Sequence, residues 1–262
     1  MNRVYKMEKN IMKNEIVKNE IVKNEMVKKS VIDVANLKKC FAVGKEEVTV
    51  LNNLNFSVYE EDFLSIMGPS GCGKSTLLYL IGGLDAPSSG SVHILGKDLT
   101  KMHEKEKSKM RRQDMGFVFQ FYNLVPNLTV EDNILLPIIL DKRNLKQYEK
   151  RLNEILEIIE LTHKRKQTPR ELSGGQQQRV AIARALVFGP QIILADEPIG
   201  NLDSKTGTEI MRLFKNINKE FHTTIVQVTH SKESSLYGNR IINLKDGIIV
   251  SEDIHHEERQ LG

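Results

Sequence analysis

A glycine-rich segment in the first third of the chain has the residue types and spacing that hold a phosphate group. It follows the apolar run Phe63–Met67, typical of a buried strand, and precedes a helix predicted over residues 75–81. Glycines let the backbone N–H groups turn toward an anion, and the helix start adds unpaired N–H groups. We expect Lys74 to reach the β- and γ-phosphates of a nucleotide and the Ser75 hydroxyl to bind Mg²⁺. The predicted phosphate loop comprises Gly68, Pro69, Ser70, Gly71, Cys72, Gly73, Lys74, Ser75 and Thr76.

Two adjacent carboxylates, Asp196 and Glu197, follow the run 191–195, which is predicted to be a central parallel strand buried on both faces. Ligands of open α/β sheets bind at the carboxyl ends of the strands. Neighbouring strand residues point to opposite faces, so the two carboxylates can have different functions. We expect Asp196 to hold Mg²⁺, directly or through water, and Glu197 to polarise an attacking water. A solvent-exposed turn is the alternative, but it leaves the upstream phosphate loop unexplained.

A second predicted helix start lies further along the chain, before the helical stretch 176–188. Since the chain already has one phosphate loop, a second anion-binding helix start suggests that two surfaces grip one nucleotide. A serine that merely caps a helix is the alternative. Taken alone, the motif favours the cap, whereas the residues 177–186 that follow it favour the ligand-binding interpretation. The motif consists of Leu172, Ser173, Gly174, Gly175 and Gln176.

In their order along the chain, these motifs resemble those of the nucleotide-binding subunit of an ABC transporter, from about residue 31 to residue 251. The resemblance implies an α/β fold: a P-loop NTPase of ABC type, with a mainly parallel core sheet, an antiparallel β subdomain and an inserted helical subdomain. It implies ATP and Mg²⁺ as ligands and an ATPase activity. It also implies that residues 172–176 close over ATP bound to a second copy of the chain, head to tail.

The same resemblance implies functions for four more residues. Gln120, at the end of the run 116–120, resembles the glutamine that contacts metal or water and senses the membrane subunit. Asp203 resembles the aspartate at the dimer seam, and His230 resembles the switch histidine that contacts the γ-phosphate. Phe41 resembles the aromatic residue that stacks on adenine, with a core position as the alternative for a lone phenylalanine.

Three positions depart from the family pattern without removing a catalytic group. Cys72 stands where serine is frequent, Ile199 where threonine is commoner, and Ser231 where aspartate is usual. Ile199 lacks a hydroxyl near the dimer seam, so coupling between subunits is the property it affects. Cys72 has two equally weighted interpretations: a reactive thiolate beside Lys74 that Mg-ATP protects, or a small residue packed against the helix.

Composition is consistent with a cytosolic ATPase and argues against a nucleic-acid partner. The formal net charge is +4, and residues 1–30 hold eight basic residues and four glutamates, a difference of +4, so the remaining chain is formally neutral. The two cysteines form no disulfide framework, and no signal peptide is recognisable. The longest apolar run, residues 134–140, is too short for a membrane span and contains Pro137.

The chain divides into three predicted parts. Residues 1–30 contain a Lys-Asn-Glu repeat with a period of five, which gives no single apolar face and favours a solvated, disordered extension. A basic membrane-surface segment and a natural start at Met26 are the alternatives. Residues 31–254 form the nucleotide-binding domain, with the helical subdomain at about 127–188, where Thr129 and Asp132 are predicted to cap a helix. Residues 255–262 form a tail.

Finer resemblance comes from residues 82–85, 119–126 and 200–203. They are similar to the ATPases of lipoprotein release, macrolide export and peptide-antibiotic export. This implies a membrane permease on another chain and a position at the cytoplasmic face of the cell membrane. The alternatives are a cell-division ABC ATPase or a soluble ABC ATPase of DNA repair or translation. The latter would carry a long coiled coil or two cassettes, and this sequence shows neither. The cargo is not identified, because its contacts would lie in the membrane subunit.

Overall fold

The computed structural model describes residues 29–255, and these contain two β-sheets and seven α-helices. The predicted N-terminal repeat and nearly all of the predicted tail lie outside the described residues. Within residues 29–255, no helix is both long enough and apolar enough to cross a bilayer.

The first sheet is antiparallel, as the resemblance implies, and has the strand order β2-β1-β4-β5. Its two long strands are joined by a tight turn in which Gly44 adopts a φ of 64°. Phe41 pairs with Val48 near this turn, at the far end of the sheet from Ser30. The strands are β1 (Ser30–Val43), β2 (Glu46–Tyr59), β4 (Ser89–Ile94) and β5 (Lys97–Asp98).

The second sheet has six strands in the order β10-β9-β3-β8-β7-β6, and all neighbouring pairs except β10 with β9 are parallel. The predicted mainly parallel core is therefore confirmed. Parallel strands present their carboxyl ends at one edge, where ligands of such sheets bind. The strands are β3 (Phe63–Met67), β6 (Met115–Val118), β7 (Ile192–Asp196), β8 (Thr224–Thr229), β9 (Arg240–Lys245) and β10 (Ile248–Ile254).

Alternate residues of the central strands enter two different apolar cores. On β7, Ile192 and Leu194 pack into a core shared with the antiparallel sheet, whereas Ile193 packs into a core shared with the helices. This alternation follows from the two-residue period of a strand. All five residues of β7 are buried, as expected for a central parallel strand that is covered on both faces.

Of the seven helices within residues 29–255, the third, fourth and fifth lie between β6 and β7 in the chain. Thr129 accepts a hydrogen bond from the backbone N–H of Asp132 at the start of the third helix, as predicted. The helices are α1 (Lys74–Ile81), α2 (Glu104–Gln113), α3 (Val130–Leu140), α4 (Glu149–Ile158), α5 (Gly174–Leu186), α6 (Ser204–Glu220) and α7 (Lys232–Ser235).

Helix α3 continues through Pro137. An interior proline costs a helix about 3 kcal/mol because it removes one hydrogen bond and crowds the preceding turn. The neighbouring side chains of Ile134 and Ile138 are fully buried in the helical core. Their burial offsets this cost, since tertiary packing supplies most of the stability of a helix in a protein.

Candidate nucleotide-binding site

A cleft of about 410 Å³ lies at the carboxyl edge of the parallel sheet. It brings together the phosphate loop, which follows β3, and residues that follow β6, β7 and β8. Segments distant in sequence therefore converge at the edge where ligands are expected. The residues lining the cleft are Val50, Ser70, Gly71, Gly73, Lys74, Ser75, Thr76, Gln120, Glu197 and His230.

The phosphate loop has a backbone shape that requires glycine at particular positions. Gly73 immediately precedes α1 with a φ of 99°, a left-handed conformation that other residues rarely adopt. A Cβ atom at Gly68 would lie 2.1 Å from the Leu244 carbonyl oxygen, so the loop can approach β9 only with glycine there. The loop thus needs glycine at Gly68, where it packs against β9, and at Gly73, where it enters α1.

Lys74 directs its amine into this loop. Its Nζ donates hydrogen bonds to the carbonyl oxygens of Gly68 at 2.8 Å and Pro69 at 3.0 Å. The side chain is buried, so the positive charge is concentrated at the loop rather than in bulk solvent. Together with the N–H groups of the α1 start, it makes the loop suited to an anion with several negative oxygens.

Asp196 lies at the end of β7 and accepts hydrogen bonds from two residues of α1. The Ser75 hydroxyl donates to its Oδ1 at 2.8 Å, and the Tyr79 hydroxyl donates to its Oδ2 at 2.9 Å. Burial, together with the Asp196 carboxylate, raises the pKa of the Tyr79 hydroxyl, so the phenol keeps its proton. Tyr79 was not predicted, although its spacing of four residues from Ser75 places both on one face of α1.

The oxygen atoms at this position suit magnesium. Mg²⁺ is usually bound by one or two protein oxygens and completes its shell with water and phosphate. Ser75 and Asp196 supply a hydroxyl and a carboxylate side by side. Within residues 29–255, no cluster of three His, Cys, Asp or Glu side chains could hold a metal. A single hydroxyl and a single carboxylate fit a metal whose other ligands come from nucleotide phosphates and water.

Glu197 turns away from Asp196 and faces His230. Its Oε1 lies 3.0 Å from Nδ1 of His230, with the carboxylate side chain 14% exposed and the imidazole 68% exposed. Glu197 has a φ of 46°, a strained value for a residue that is not glycine. Its backbone N–H donates to the Val228 carbonyl at 3.0 Å, which continues the hydrogen bonds between β7 and β8 by one residue. The adjacent acids thus have separate partners, but the expected alternation of strand residues is not the reason, because the strand ends at Asp196 and Glu197 is in a left-handed conformation.

Gln120 reaches the cleft and contacts the segment after the acidic pair. Its Nε2 donates to Oδ1 of Asn201 at 3.3 Å, and Asn201 Nδ2 donates to the Gln120 carbonyl at 3.0 Å. Gly200 lies against the same side chain, because a Cβ there would be 2.9 Å from Gln120 Nε2. Asn201 was not among the predicted site residues, since nothing in its local sequence reveals a partner that lies so far away in the chain.

The motif at residues 172–176 lies apart from the residues that line this cleft. Ser173 is the N-cap of α5: its hydroxyl accepts a hydrogen bond from the Gln176 N–H, and Gln176 Oε1 accepts one from the Ser173 N–H at 3.0 Å. The capping interpretation therefore describes this residue within one chain. Ser173 is also exposed, so a surface outside this chain can reach the helix start.

Close packing at this helix start gives a stability prediction for Gly175→Ala. A Cβ atom at Gly175 would lie 2.3 Å from Cγ2 of Thr206, near the start of α6. We expect this overpacking to lower the free energy of unfolding by about 1–3 kcal/mol, measured by chemical denaturation. Thr206→Ser removes the clashing methyl group and keeps the hydroxyl that donates to Asp203. In a Thr206→Ser background, Gly175→Ala should therefore lower the free energy of unfolding much less than it does in the wild type. An equal effect of Gly175→Ala in both backgrounds would contradict the packing.

Asp203 and Phe41 lie outside the lining of the cleft. Asp203 is the N-cap of α6 and accepts hydrogen bonds from the N–H and the hydroxyl of Thr206 at 3.0 and 2.6 Å, which lower the pKa of its carboxyl. The Phe41 side chain is 41% exposed, and the Lys39 amine lies 4.7 Å from the centre of its ring. Exposure makes the ring available for stacking and argues against the core alternative.

Cys72 is buried within the phosphate loop and belongs to the core shared with the antiparallel sheet. Its Sγ faces Gly68, since a Cβ at that glycine would lie 2.6 Å from the sulfur. The structure therefore favours the packed interpretation over the reactive thiolate. Gln178, which was not predicted, is fully buried on α5 and donates to the Pro198 carbonyl at 2.8 Å. It joins α5, the helix capped by Ser173, to Pro198, the residue after Glu197.

Comparisons with known proteins agree with this arrangement. The family model described as ABC transporter matches residues 51–200. MJ0796 of Methanocaldococcus jannaschii, an uncharacterized ABC transporter ATP-binding protein, is 46% identical over 227 residues, covering 85% of this chain and 97% of the relative. The lipoprotein-releasing system ATP-binding protein LolD of Cytophaga hutchinsonii is 43% identical, covering 78% of this chain and 93% of LolD.

A longer relative and a solved structure are similar over most of this chain. The macrolide export ATP-binding/permease protein MacB of Mannheimia succiniciproducens is 43% identical over 87% of this chain, which corresponds to 35% of MacB. The solved structure is the dimeric post-hydrolysis state of the ATP-binding cassette MJ0796 bound to ADP and Pi. It matches with a TM-score of 0.79 and 44% identity, over 87% of this chain and 100% of that one.

Proposed function

The chain belongs to the ABC transporter family, and we propose that it is an ATPase subunit that hydrolyses ATP as a head-to-tail dimer. The observation that carries this proposal is the cleft itself, in which the Glu197–His230 pair lies opposite the phosphate loop. A phosphate loop alone would support binding. A carboxylate held at 3.0 Å from a histidine in the same cleft supports hydrolysis, because it can orient and polarise a water molecule.

The proposal assigns a function to the main polar side chains of the cleft and to Phe41. Lys74 and the α1 start would bind the phosphates, and Ser75, Gln120 and Asp196 would hold the magnesium ion, directly or through water. When bound, Mg²⁺ supplies charge neutralisation at the phosphates. Glu197 polarises the attacking water, and His230 orients the Glu197 carboxylate through Nδ1. The exposed ring of Phe41 stacks on the adenine.

The second copy supplies what the cleft of one chain lacks. Ser173 lies outside the lining of the cleft but is exposed at the start of α5, where N–H groups and a helix dipole favour an anion. A head-to-tail partner would place its own Ser173 over the phosphates and Asp203 at the seam. The dimeric MJ0796 cassette bound to ADP and Pi supports this assembly, since it is 44% identical to this chain.

We propose further that the dimer drives a membrane permease on a separate chain, at the cytoplasmic face of the membrane. A groove of about 320 Å³ is lined by apolar residues that include Phe119 and Leu136, and also by three arginines, Arg111, Arg112 and Arg184. Leu140, which lines this groove, is 63% exposed, and Phe121, two residues after Phe119, is 71% exposed; exposed large apolar side chains of this kind are typical of interaction sites when they cluster. The names of LolD and MacB support export or extraction of lipoprotein, peptide or drug.

The proposal predicts that ATP hydrolysis requires protein association. With saturating Mg-ATP, phosphate release per molecule should rise with protein concentration and then reach a plateau, because the active site is completed by a second copy. Size-exclusion chromatography in the same buffer would report the dimer. No hydrolysis at any concentration would contradict the ATPase activity, and an equally active monomer on the column would contradict the dimer.

A further inference from the structure

Tyr79 contacts the Asp196 carboxylate from a position that none of the nucleotide-binding motifs includes. Its hydroxyl donates to Oδ2 at 2.9 Å, while the Ser75 hydroxyl donates to Oδ1 at 2.8 Å. The two donors are four residues apart on α1, so they lie one above the other on a single face of the helix. One helix face therefore holds both oxygens of one carboxylate.

Asp196 depends on these hydrogen bonds because it lies in the interior. It is 8% exposed at the end of β7, where a carboxylate without hydrogen-bond donors would be costly. Among the described residues, Tyr79 supplies the hydrogen bond to Oδ2. With Oδ2 held in this way, rotation of the carboxylate away from Ser75 would break a hydrogen bond in a site that solvent hardly reaches.

We propose that Tyr79 is a positioning residue for the magnesium site and that its hydroxyl strengthens metal binding by fixing the Asp196 carboxylate. This inference rests on the proposed function, because the metal arrives with ATP. The phenol acts through Asp196 and is not itself a ligand. Partners that orient metal ligands typically contribute about 10- to 100-fold to metal affinity. The effect should therefore appear in metal affinity and leave metal-free nucleotide binding unchanged.

The test is Tyr79→Phe in the full-length protein, with Mn²⁺ as the probe. Binding of Mn²⁺ in the presence of a non-hydrolysable ATP analogue is measured by electron paramagnetic resonance. We expect the variant to bind Mn²⁺ about 10-fold more weakly than the wild type. Nucleotide affinity in EDTA, measured with a fluorescent ATP analogue, should stay within about twofold, since Lys74 and the loop are untouched.

Two controls distinguish a positioning role of Tyr79 from a purely structural role. Tyr148→Phe changes a partly buried tyrosine that packs against Phe188 in the helical region, and it should leave Mn²⁺ binding unchanged. In an Asp196→Asn background, Tyr79→Phe should cause little further loss of Mn²⁺ affinity, because the two residues act as one unit. Additive losses in the double variant would overturn the proposal.

The outcomes also distinguish this inference from the proposed function. Wild-type Mn²⁺ affinity in a Tyr79→Phe protein that still binds nucleotide would overturn the positioning role and leave the ATPase proposal intact. A loss of nucleotide affinity in EDTA as large as the loss of Mn²⁺ affinity would show that Tyr79 supports the phosphate loop instead. That result would also overturn the positioning role. A wild-type protein that binds neither ATP nor Mn²⁺ with the analogue would overturn both.

Discussion

Glu197→Gln is expected to abolish ATP hydrolysis while ATP binding persists. The amide cannot accept a proton from water, and loss of a general base typically lowers the rate by about 10²- to 10⁴-fold. The phosphate loop and the Ser75–Asp196 pair do not involve Glu197, so the affinity for Mg-ATP should stay close to that of the wild type. In the proposed head-to-tail dimer, ATP at the seam would no longer be consumed, so the variant should accumulate as a dimer on a sizing column.

The matched control is Glu220→Gln, which makes the same chemical change at an exposed residue at the end of α6. It should retain wild-type hydrolysis and should form no trapped dimer. Phosphate release and nucleotide affinity are measured for both variants under the same conditions. If Glu197→Gln hydrolyses ATP at the wild-type rate, Glu197 is not the base, and the Glu197–His230 pair is not needed for hydrolysis.

Local sequence predicted the elements that carry the chemistry. The strand Phe63–Met67 has the predicted bounds, and the helix after it begins at Lys74. This succeeded because an apolar run, a glycine turn and a helix start are each encoded within a few residues. The cap at Thr129 and the capping alternative for Ser173 are equally local, and the structure has both.

Contacts between distant segments could not be predicted in this way. Tyr79 and Asp196 are 117 positions apart, and Gln120 and Asn201 are 81 apart. A tyrosine on α1 has the same local pattern whether its hydroxyl faces solvent or a carboxylate. The burial of Cys72 is a similar case, because it depends on how the loop packs against β9. Only the fold determines these orientations.

Pro137 shows how tertiary packing overrides a local preference. Considered alone, a proline within an apolar run indicates an interruption. Helix α3 nevertheless passes through it, because the buried faces of Ile134 and Ile138 belong to one core with α4 and α5. Glu197, with a φ of 46°, shows the same effect on the backbone, because a glutamate rarely adopts this conformation from local preference.

The most direct test of the composite site is to mix two inactive variants. Lys74→Ala should not hydrolyse ATP, because it lacks the amine that the loop directs toward the phosphates. Ser173→Arg should also be inactive, because a bulky cation at the start of α5 prevents the partner surface from closing over the nucleotide. Each variant alone carries the same defect in both sites of its homodimer.

Mixed dimers combine both defects in one site and leave the other site with an intact Lys74 and an intact Ser173. Random exchange makes half of the dimers mixed, so the mixture should recover about a quarter of the wild-type sites. The measurement is phosphate release from Mg-ATP by an equimolar mixture, compared with each variant alone at the same total concentration. Recovery of activity is the result predicted for a site shared between two copies. A mixture as inactive as its components, with mixed dimers present on a native gel, would contradict the shared site.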